Sequence, residues 1–497
     1  MRDLPPMLDY LYTGDQTRSL DRCAIEEFGI AGSTLMGRAA NAAFNRLIKF
    51  WPNVERLQVL CGTGNNGGDG FLIADLAHKR KLPVKVLQLG DEGKIRGDAL
   101  QARQQALANG VAFETYRDGL LDSGAVVIDA MLGTGLGGDV REPYRTAIEA
   151  VNVSGAPVLA VDIPSGVCAD SGRVLGAAVR ADLTVTFIGL KRGLFTYQGQ
   201  GFAGDVEFSD LEVPAEVYQR VPADSVRLEL PALLGTLPPR SVTAHKGDCG
   251  TVLVVGGDYG MAGAASLAAE AALRCGAGLV SVATRLEHVA PLVARVPEVM
   301  AHGVAEQTQL EPLVDAADVL VLGPGLGQSA WSLALAQTVL AGGKPLVMDA
   351  DALNLLAAGS LDDAISGQDW ILSPHPGEAG RLLRTDTAAV QGDRFAAVRE
   401  LQQRYGGVVV LKGNGTLVCD RTGIGVANYG NPGMATGGMG DVLSGVLGAL
   451  AAQGLSLAQA GALGVCLHGA AADAAAIEGE RGLVATDLMP QLRSLIG

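Results

Sequence analysis

The stretch Asn431-Pro-Gly-Met-Ala-Thr-Gly-Gly-Met-Gly-Asp-Val-Leu-Ser-Gly445 sets Gly437, Gly438 and Gly440 directly before one acid, Asp441, and the apolar run 442–452. Glycines let a backbone approach a phosphate closely, and a helix N-terminus supplies free N–H groups and a positive dipole end. An acid at that junction is repelled by the phosphate beside it. Asp441 is therefore a candidate base for a hydroxyl about to attack that phosphate. The competing reading is a glycine turn whose Asp caps the helix.

Reading back from this stretch, short apolar runs end in chemistry-bearing loops. The run 408–411 meets Lys412-Gly413-Asn414-Gly415-Thr416, either a phosphate loop or a hairpin turn at Asn-Gly. The run 370–372 meets Ser373-Pro374-His375-Pro376-Gly377-Glu378, which holds a His rigidly between prolines. The run 345–348 ends in Asp349-Ala350-Asp351, and 319–322 in Gly323-Pro324-Gly325-Leu326-Gly327. The run 250–255 opens this half, and 261–275 reads as an Ala-rich helix whose small residues permit close packing.

The first half repeats the pattern with other motifs. Helices are expected over 15–29 and 33–51, then a strand over 57–61. That strand runs into Gly62-Thr63-Gly64-Asn65-Asn66-Gly67-Gly68-Asp69-Gly70 and a helix to about Arg80. Strand, glycine loop and helix form the phosphate cradle of a dinucleotide-binding unit. Two central Asn residues suit a nucleotide sugar or a desolvated monovalent cation; a structural turn is the alternative. Further strands at 125–129 and 157–161 end at Asp129 and at Asp162-Ile163-Pro164-Ser165. Asn66, Asp129, Asp162 and Ser165 thus all lie just past strand ends, where parallel sheets bind ligands. A strand at 184–188 leads to Lys191, either a phosphate contact or an exposed charge.

Strand-like and helix-like runs alternate along 497 residues, with 68 Gly and few aromatics, so the expected class is α/β with more than one core. A formal charge of −15 argues against nucleic acid or an anionic membrane as partner. Seven scattered Cys without a CxxC pair indicate a reducing cytoplasm and no zinc site, with Cys61 and Cys275 as core thiols. The first twelve residues do not read as a signal peptide, and no uninterrupted apolar run is long enough to span a membrane. Pro214, Pro222, Pro231, Pro238 and Pro239 mark a linker, placed at 216–234 between domains at 10–215 and 235–495.

The motifs carry two resemblances. Cys-Gly-x-Gly-Asn-Asn-Gly-Gly-Asp-Gly, Asp129 before Gly-Thr-Gly-Leu, and Val-Asp-Ile-Pro-Ser-Gly together resemble the NAD(P)H-hydrate epimerase family over about residues 10–215. This implies a Rossmann-like domain that epimerises C6 of the hydrated nicotinamide ring. It implies dinucleotide binding by Asn65, Asn66, Gly67, Gly68, Asp69, Gly133, Thr134, Gly135, Leu136, Gly137, Gly138 and Asp139. It implies potassium on Asn66, Asp129 and Ser165, and Asp162 as substrate contact and acid–base group. The family pattern Leu-Met-Glu is broken here by Leu35-Met36-Gly37.

The order GPGLG, HPGE, KGxGT, GGxGD resembles ribokinase-like ADP- or ATP-dependent NAD(P)H-hydrate dehydratases over about 235–495. This implies a second three-layer α/β/α domain, with Ala264, Gly325, His375 and Asp441 touching the hydrate. Lys412, Gly413, Asn414, Gly415, Thr416, Asn431, Gly437, Gly438 and Gly440 would hold the nucleotide, and Glu378 would assist magnesium. Together the resemblances imply a cytoplasmic homo-oligomer, a homotetramer, that repairs hydrated NADH and NADPH with ADP. The alternative is a vitamin-precursor kinase fused to a non-catalytic nucleotide-binding module.

Overall fold

The strand Leu57–Cys61, buried at all five positions, is the pivot of the first half. The computed structural model describes residues 9–361 and 369–497, so most of the stretch read for a signal peptide lies outside the described residues. The chain divides between Val226 and Arg227 into two compact units.

In the first unit, Val84–Gln88 and then Ala112–Thr115 lie on one side of Leu57–Cys61. Val126–Ala130, Val158–Val161, Leu183–Phe187 and Asp205–Ser209 follow in order on the other, and all pairs are parallel. Near-continuous apolar strands of this kind need cover on both faces. One core cluster lies under helices Gly32–Phe50, Asn65–Lys79 and Gly97–Ala108, and another under Tyr144–Ser154. The glycine motif is a helix start rather than a loop, because the helix begins at Asn65. A Cβ at Gly70 would stand 2.6 Å from Ala130 Cβ and 2.7 Å from Cys61 Sγ, so only glycine lets this helix lie so close on its sheet. The chain reverses direction across the sheet between Leu57–Cys61 and Val126–Ala130. The loops after these two strands diverge there and leave a crevice.

The expected linker is not an unstructured span. It contains helix Ala215–Arg220, strand Ser225–Leu228 and helix Leu230–Leu234. Its prolines sit at element ends or in the first turn, where a missing N–H costs nothing.

The second unit repeats the reversal. Its strands run in the order Met300–Gly303, Leu279–Thr284, Thr251–Val255, Val319–Leu322, Leu346–Met348, Trp370–Leu372 and Val408–Leu411, all parallel. Thr416–Asp420 and Gly423–Ala427 then extend it antiparallel. Helix Met439–Ala452 packs on helix Ala262–Arg274 and over the central strands. A Cβ at Gly445 would stand 2.0 Å from the Ala268 carbonyl oxygen, which explains the small residues on both helices. Helix Leu457–Ala475 is long and apolar, and most of its residues are buried inside this unit.

Candidate active sites

In the first unit, the crevice at the sheet reversal opens into a cavity of about 570 Å³. Its wall includes Asn65, Asn66 and Asp69 from the first two turns of helix Asn65–Lys79, Gly133, Thr134, Gly135, Leu136 and Gly137 from the loop after strand Val126–Ala130, and Asp162 and Lys191. Gly67 and Gly68 serve packing instead. A Cβ at Gly67 would meet the Gly62 oxygen at 2.2 Å, and one at Gly68 would meet Met36 at 2.7 Å. Gly138 and Asp139 are exposed and are not part of this wall. Gly37 faces open space beside the buried Met36 and does not line the cavity.

Asp129 is fully buried and ordered by its neighbours. Its Oδ1 accepts from Ser165 Oγ at 2.6 Å and Met131 N at 3.2 Å, and its Oδ2 accepts from Ser165 N at 2.8 Å. Burial pushes its carboxyl up to about 6 against these hydrogen bonds. Asn66 Nδ2 donates to the Leu132 oxygen at 3.1 Å, while the buried Oδ1 has no hydrogen-bond partner among the described residues. An orphaned buried oxygen costs free energy unless something binds it. With Ser165 Oγ on the Asp129 carboxylate, these side chains form an all-oxygen donor set of the kind that suits a hard cation.

Asp162 follows strand Val158–Val161 with φ of 69°, a left-handed conformation that a non-glycine residue adopts at a cost. Its Oδ1 accepts from Lys191 Nζ, Phe187 N and Thr186 Oγ1. Lys191 is fully buried and also donates to Thr186 Oγ1 at 3.0 Å and the Phe187 oxygen at 2.9 Å. It is therefore a site residue and not an exposed charge. Asp21 and Arg18, from helix Gly14–Glu26, also line the cavity and were not singled out by motif.

In the second unit, Asp441 lies in the first turn of helix Met439–Ala452. Burial and the Asp349 carboxylate push its carboxyl up to about 7; Lys412 opposes the shift and Asp351 adds to it. Lys412 Nζ donates to Asp349 Oδ1 at 2.6 Å and lies 3.9 Å from Glu378 Oε2. Ser444 Oγ donates to Asp349 Oδ2 at 2.8 Å. A Cβ at Gly440 would stand 3.4 Å from Lys412 Nζ and 3.5 Å from Asp349 Oδ2, so the glycine loop and the lysine close on one point. Burial pushes the Glu378 carboxyl up to about 7, with Lys412 opposing. Asp349 and Ser444, central here, carried no role in the motif reading.

The loop at Lys412 is the hairpin turn between Val408–Leu411 and Thr416–Asp420, with Thr416 Oγ1 donating to the Gly413 oxygen at 2.9 Å. The buried Arg394 organises it, donating to the carbonyls of Leu411, Lys412 and Gly415. His375 caps helix Pro376–Leu383: its Nδ1 accepts from Gly377 N at 2.9 Å, and its Nε2 lies 3.4 Å from Glu378 Oε1. Ala264 and Gly325 are adjacent at the sheet reversal, since a Cβ at Gly325 would stand 3.0 Å from Ala264 Cβ. Asn431 does not join this cluster by any hydrogen bond among the described residues; it caps a turn at Gly433 and donates to Asp473 Oδ1 at 3.0 Å.

Two doubly wound sheets, each with a glycine-lined helix start and buried acids at its reversal, define α/β enzymes of small anionic ligands. A ribokinase-like superfamily protein from Enterococcus faecalis superposes on the chain with a TM-score of 0.51 at 30% identity, covering 55% of this chain and 95% of that one. Residues 252–493 match the NAD(P)H-hydrate dehydratase family, and residues 32–193 match the YjeF-related protein N-terminus family. Over 488 residues the chain is 49% identical to the bifunctional NAD(P)H-hydrate repair enzyme Nnr of Coxiella burnetii, covering 98% of this chain and 99% of that one. It is 41% identical to the enzyme of the same name from Escherichia coli, covering 98% and 94%. The chain belongs to the bifunctional NAD(P)H-hydrate repair enzyme family.

Proposed function

We propose that the chain repairs hydrated NADH and NADPH in the cytoplasm, as a homo-oligomer, with one reaction in each unit. The first unit interconverts the R and S forms at C6. The second dehydrates the S form with ADP, releasing AMP and phosphate. The observation that carries the second reaction is Asp441 in the first turn of a glycine-lined helix start, where Gly440 lies against the Lys412–Asp349 pair.

In the second unit, Asp441 takes the proton of the C6 hydroxyl. That oxygen attacks the terminal phosphorus of ADP, and the bond to the bridging oxygen breaks to release AMP. The N–H groups at the helix start and the Lys412 ammonium stabilise charge on the transferred group. The ring nitrogen lone pair then expels phosphate from C6, and loss of a proton from C5 restores the dihydropyridine. Magnesium, held with the phosphates through carboxylate oxygens such as Glu378, would neutralise phosphate charge. In the first unit, Asn66, Asp129 and Ser165 would hold potassium, which would supply a fixed positive charge near the substrate. Asp162, whose Oδ1 accepts from Lys191 Nζ, takes the proton of the same hydroxyl. The full-length relatives do not favour the kinase alternative.

The test mixes purified protein with epimeric NADH hydrate, magnesium, potassium and ADP and follows the near-ultraviolet absorbance of reduced nicotinamide. Full recovery is expected. Recovery that stops at the S share would remove the epimerase role, and none with ADP or ATP would remove the dehydratase role.

A further inference from the structure

We propose that Asp21 is the second acid–base group of the first unit, the proton donor that works with Asp162; this rests on reading that unit as an epimerase. Helix Gly14–Glu26 turns Thr17, Arg18, Asp21 and Ile25 to the cavity, the three-and-four spacing of one helical face. The helix start is pinned: Thr13 and Gln16 form a reciprocal cap, and Gly14 N donates to Asp170 Oδ1 at 2.7 Å. The other polar groups of this face are engaged. Thr17 Oγ1 donates to the Thr13 oxygen at 3.0 Å, and Arg18 donates to the Thr134 oxygen at 3.1 Å and to Asp15. The Asp21 carboxyl alone has no hydrogen-bond partner among the described residues, and it lines the cavity that holds Asp162.

The charged and titratable groups that act on Asp21 come from other elements. They are the Lys191 ammonium, the Asp162 carboxylate, Asp69 on helix Asn65–Lys79, and the Tyr218 hydroxyl. Lys191 donates to Asp162, and burial outweighs its pull on Asp21. Burial pushes the Asp21 carboxyl up to about 6, with Lys191 opposing and Asp162 adding. Burial drives the Asp69 carboxyl well above its ordinary value, with Asp162 and Asp21 adding and Lys191 opposing. The cavity thus pairs a carboxylate that accepts from the Lys191 ammonium with a second carboxyl that no hydrogen bond engages among the described residues.

That pair matches what a carbon bearing both a hydroxyl and the ring nitrogen requires. Asp162 takes the proton from the C6 oxygen, and the O–H electrons form the C6=O bond. The C6–N1 bond breaks, its electron pair goes to N1, and Asp21 delivers its proton there. Rotation about the C5–C6 bond presents the other face of the carbonyl. N1 then attacks C6, its proton returns to Asp21, and the oxygen recovers its proton from Asp162. The oxygen stays on C6 throughout.

The test uses the full chain and the same epimeric mixture. The S share is recovered in a first phase, and the R share in a second phase limited by epimerisation. Asp21→Asn should leave the first phase unchanged and slow the second by on the order of 10²-fold. The wild-type second phase should lose kcat/KM as pH rises past about 6, a fall absent from Asp21→Asn and retained by Asp21→Glu. In ¹⁸O-labelled water the phosphate released in the second phase should contain no solvent oxygen. A wild-type second phase in Asp21→Asn overturns the proposal alone, as does slowing with an unchanged pH profile, which marks a structural role. Solvent oxygen in that phosphate overturns the ring-opening step. A wild-type chain with no second phase removes the epimerase reading itself, and the proposal with it.

Discussion

Lys412 Nζ donates to Asp349 Oδ1 at 2.6 Å, and Asp349 Oδ2 accepts from Ser444 in the helix that carries Asp441. One ion pair therefore ties two strand ends and a helix start to the same point. Asp349 is 2% exposed at its side chain and Lys412 19%, so each depends on the other for compensation.

Lys412→Met should leave Asp349 buried without its cation. Breaking such a pair costs about 3 kcal/mol or more. A lowered urea midpoint at unchanged slope is the expected result. A midpoint equal to wild type would show that Ser444 and solvent satisfy Asp349 unaided.

Asp441→Asn removes the proposed base and keeps its shape. S-form dehydration should fall by about 10²–10⁴-fold, with nucleotide affinity within a small factor of wild type. Near-normal turnover with unchanged binding would remove Asp441 from proton transfer.

The pH dependence of activity and of stability should run in opposite directions. The carboxyls of Asp441 and Glu378 rise from 3.8 and 4.5 to about 7 in the folded chain. A raised carboxyl binds its proton more tightly when folded, so its stabilising contribution is full below the unfolded value and is lost as pH rises through about 7. Dehydration needs the ionised Asp441 and should fall as pH drops below about 7. Melting and turnover measured across pH 5 to 8 would check both slopes; parallel slopes would contradict the assignment.

Asp162→Ala should abolish recovery of the R share and leave S-form dehydration intact. Loss of both activities, with a lowered melting temperature, would mean that the left-handed turn at Asp162 serves folding instead.

Asn66→Ala removes the buried, unpartnered Oδ1 of the proposed potassium set. Epimer exchange should then require far more potassium, or lose its potassium response. A potassium titration of the second recovery phase checks this, and an unchanged half-saturation would exclude Asn66 as a ligand.

Local residue choice made both sheets legible. The runs at 57–61, 319–322, 370–372 and 408–411 are strands at those residues. An apolar run between glycine loops has few other uses in a covered parallel sheet. The glycine motifs at 62–70 and 437–440 were readable as the approach to a helix, although the helices begin inside them, at Asn65 and Met439. Cys61 and Cys275 are buried thiols, as their apolar flanks indicated.

What only tertiary structure decided are the partnerships between distant residues. Lys191 meets Asp162 across 29 positions, and Lys412 meets Asp349 across 63. No local pattern encodes which strand end a side chain from another loop will reach. Asp21 sits on an ordinary amphipathic helix, and only the sheet reversal turns that face toward Asp162. Gly67 and Gly68 carry the same letters as a phosphate cradle, yet close packing on Gly62 and Met36 uses them up. Motifs recorded which chemistry the chain holds, because the spacing of a turn is local. Strand order decided which acids share a cavity, because burial and charge act through space rather than along the chain.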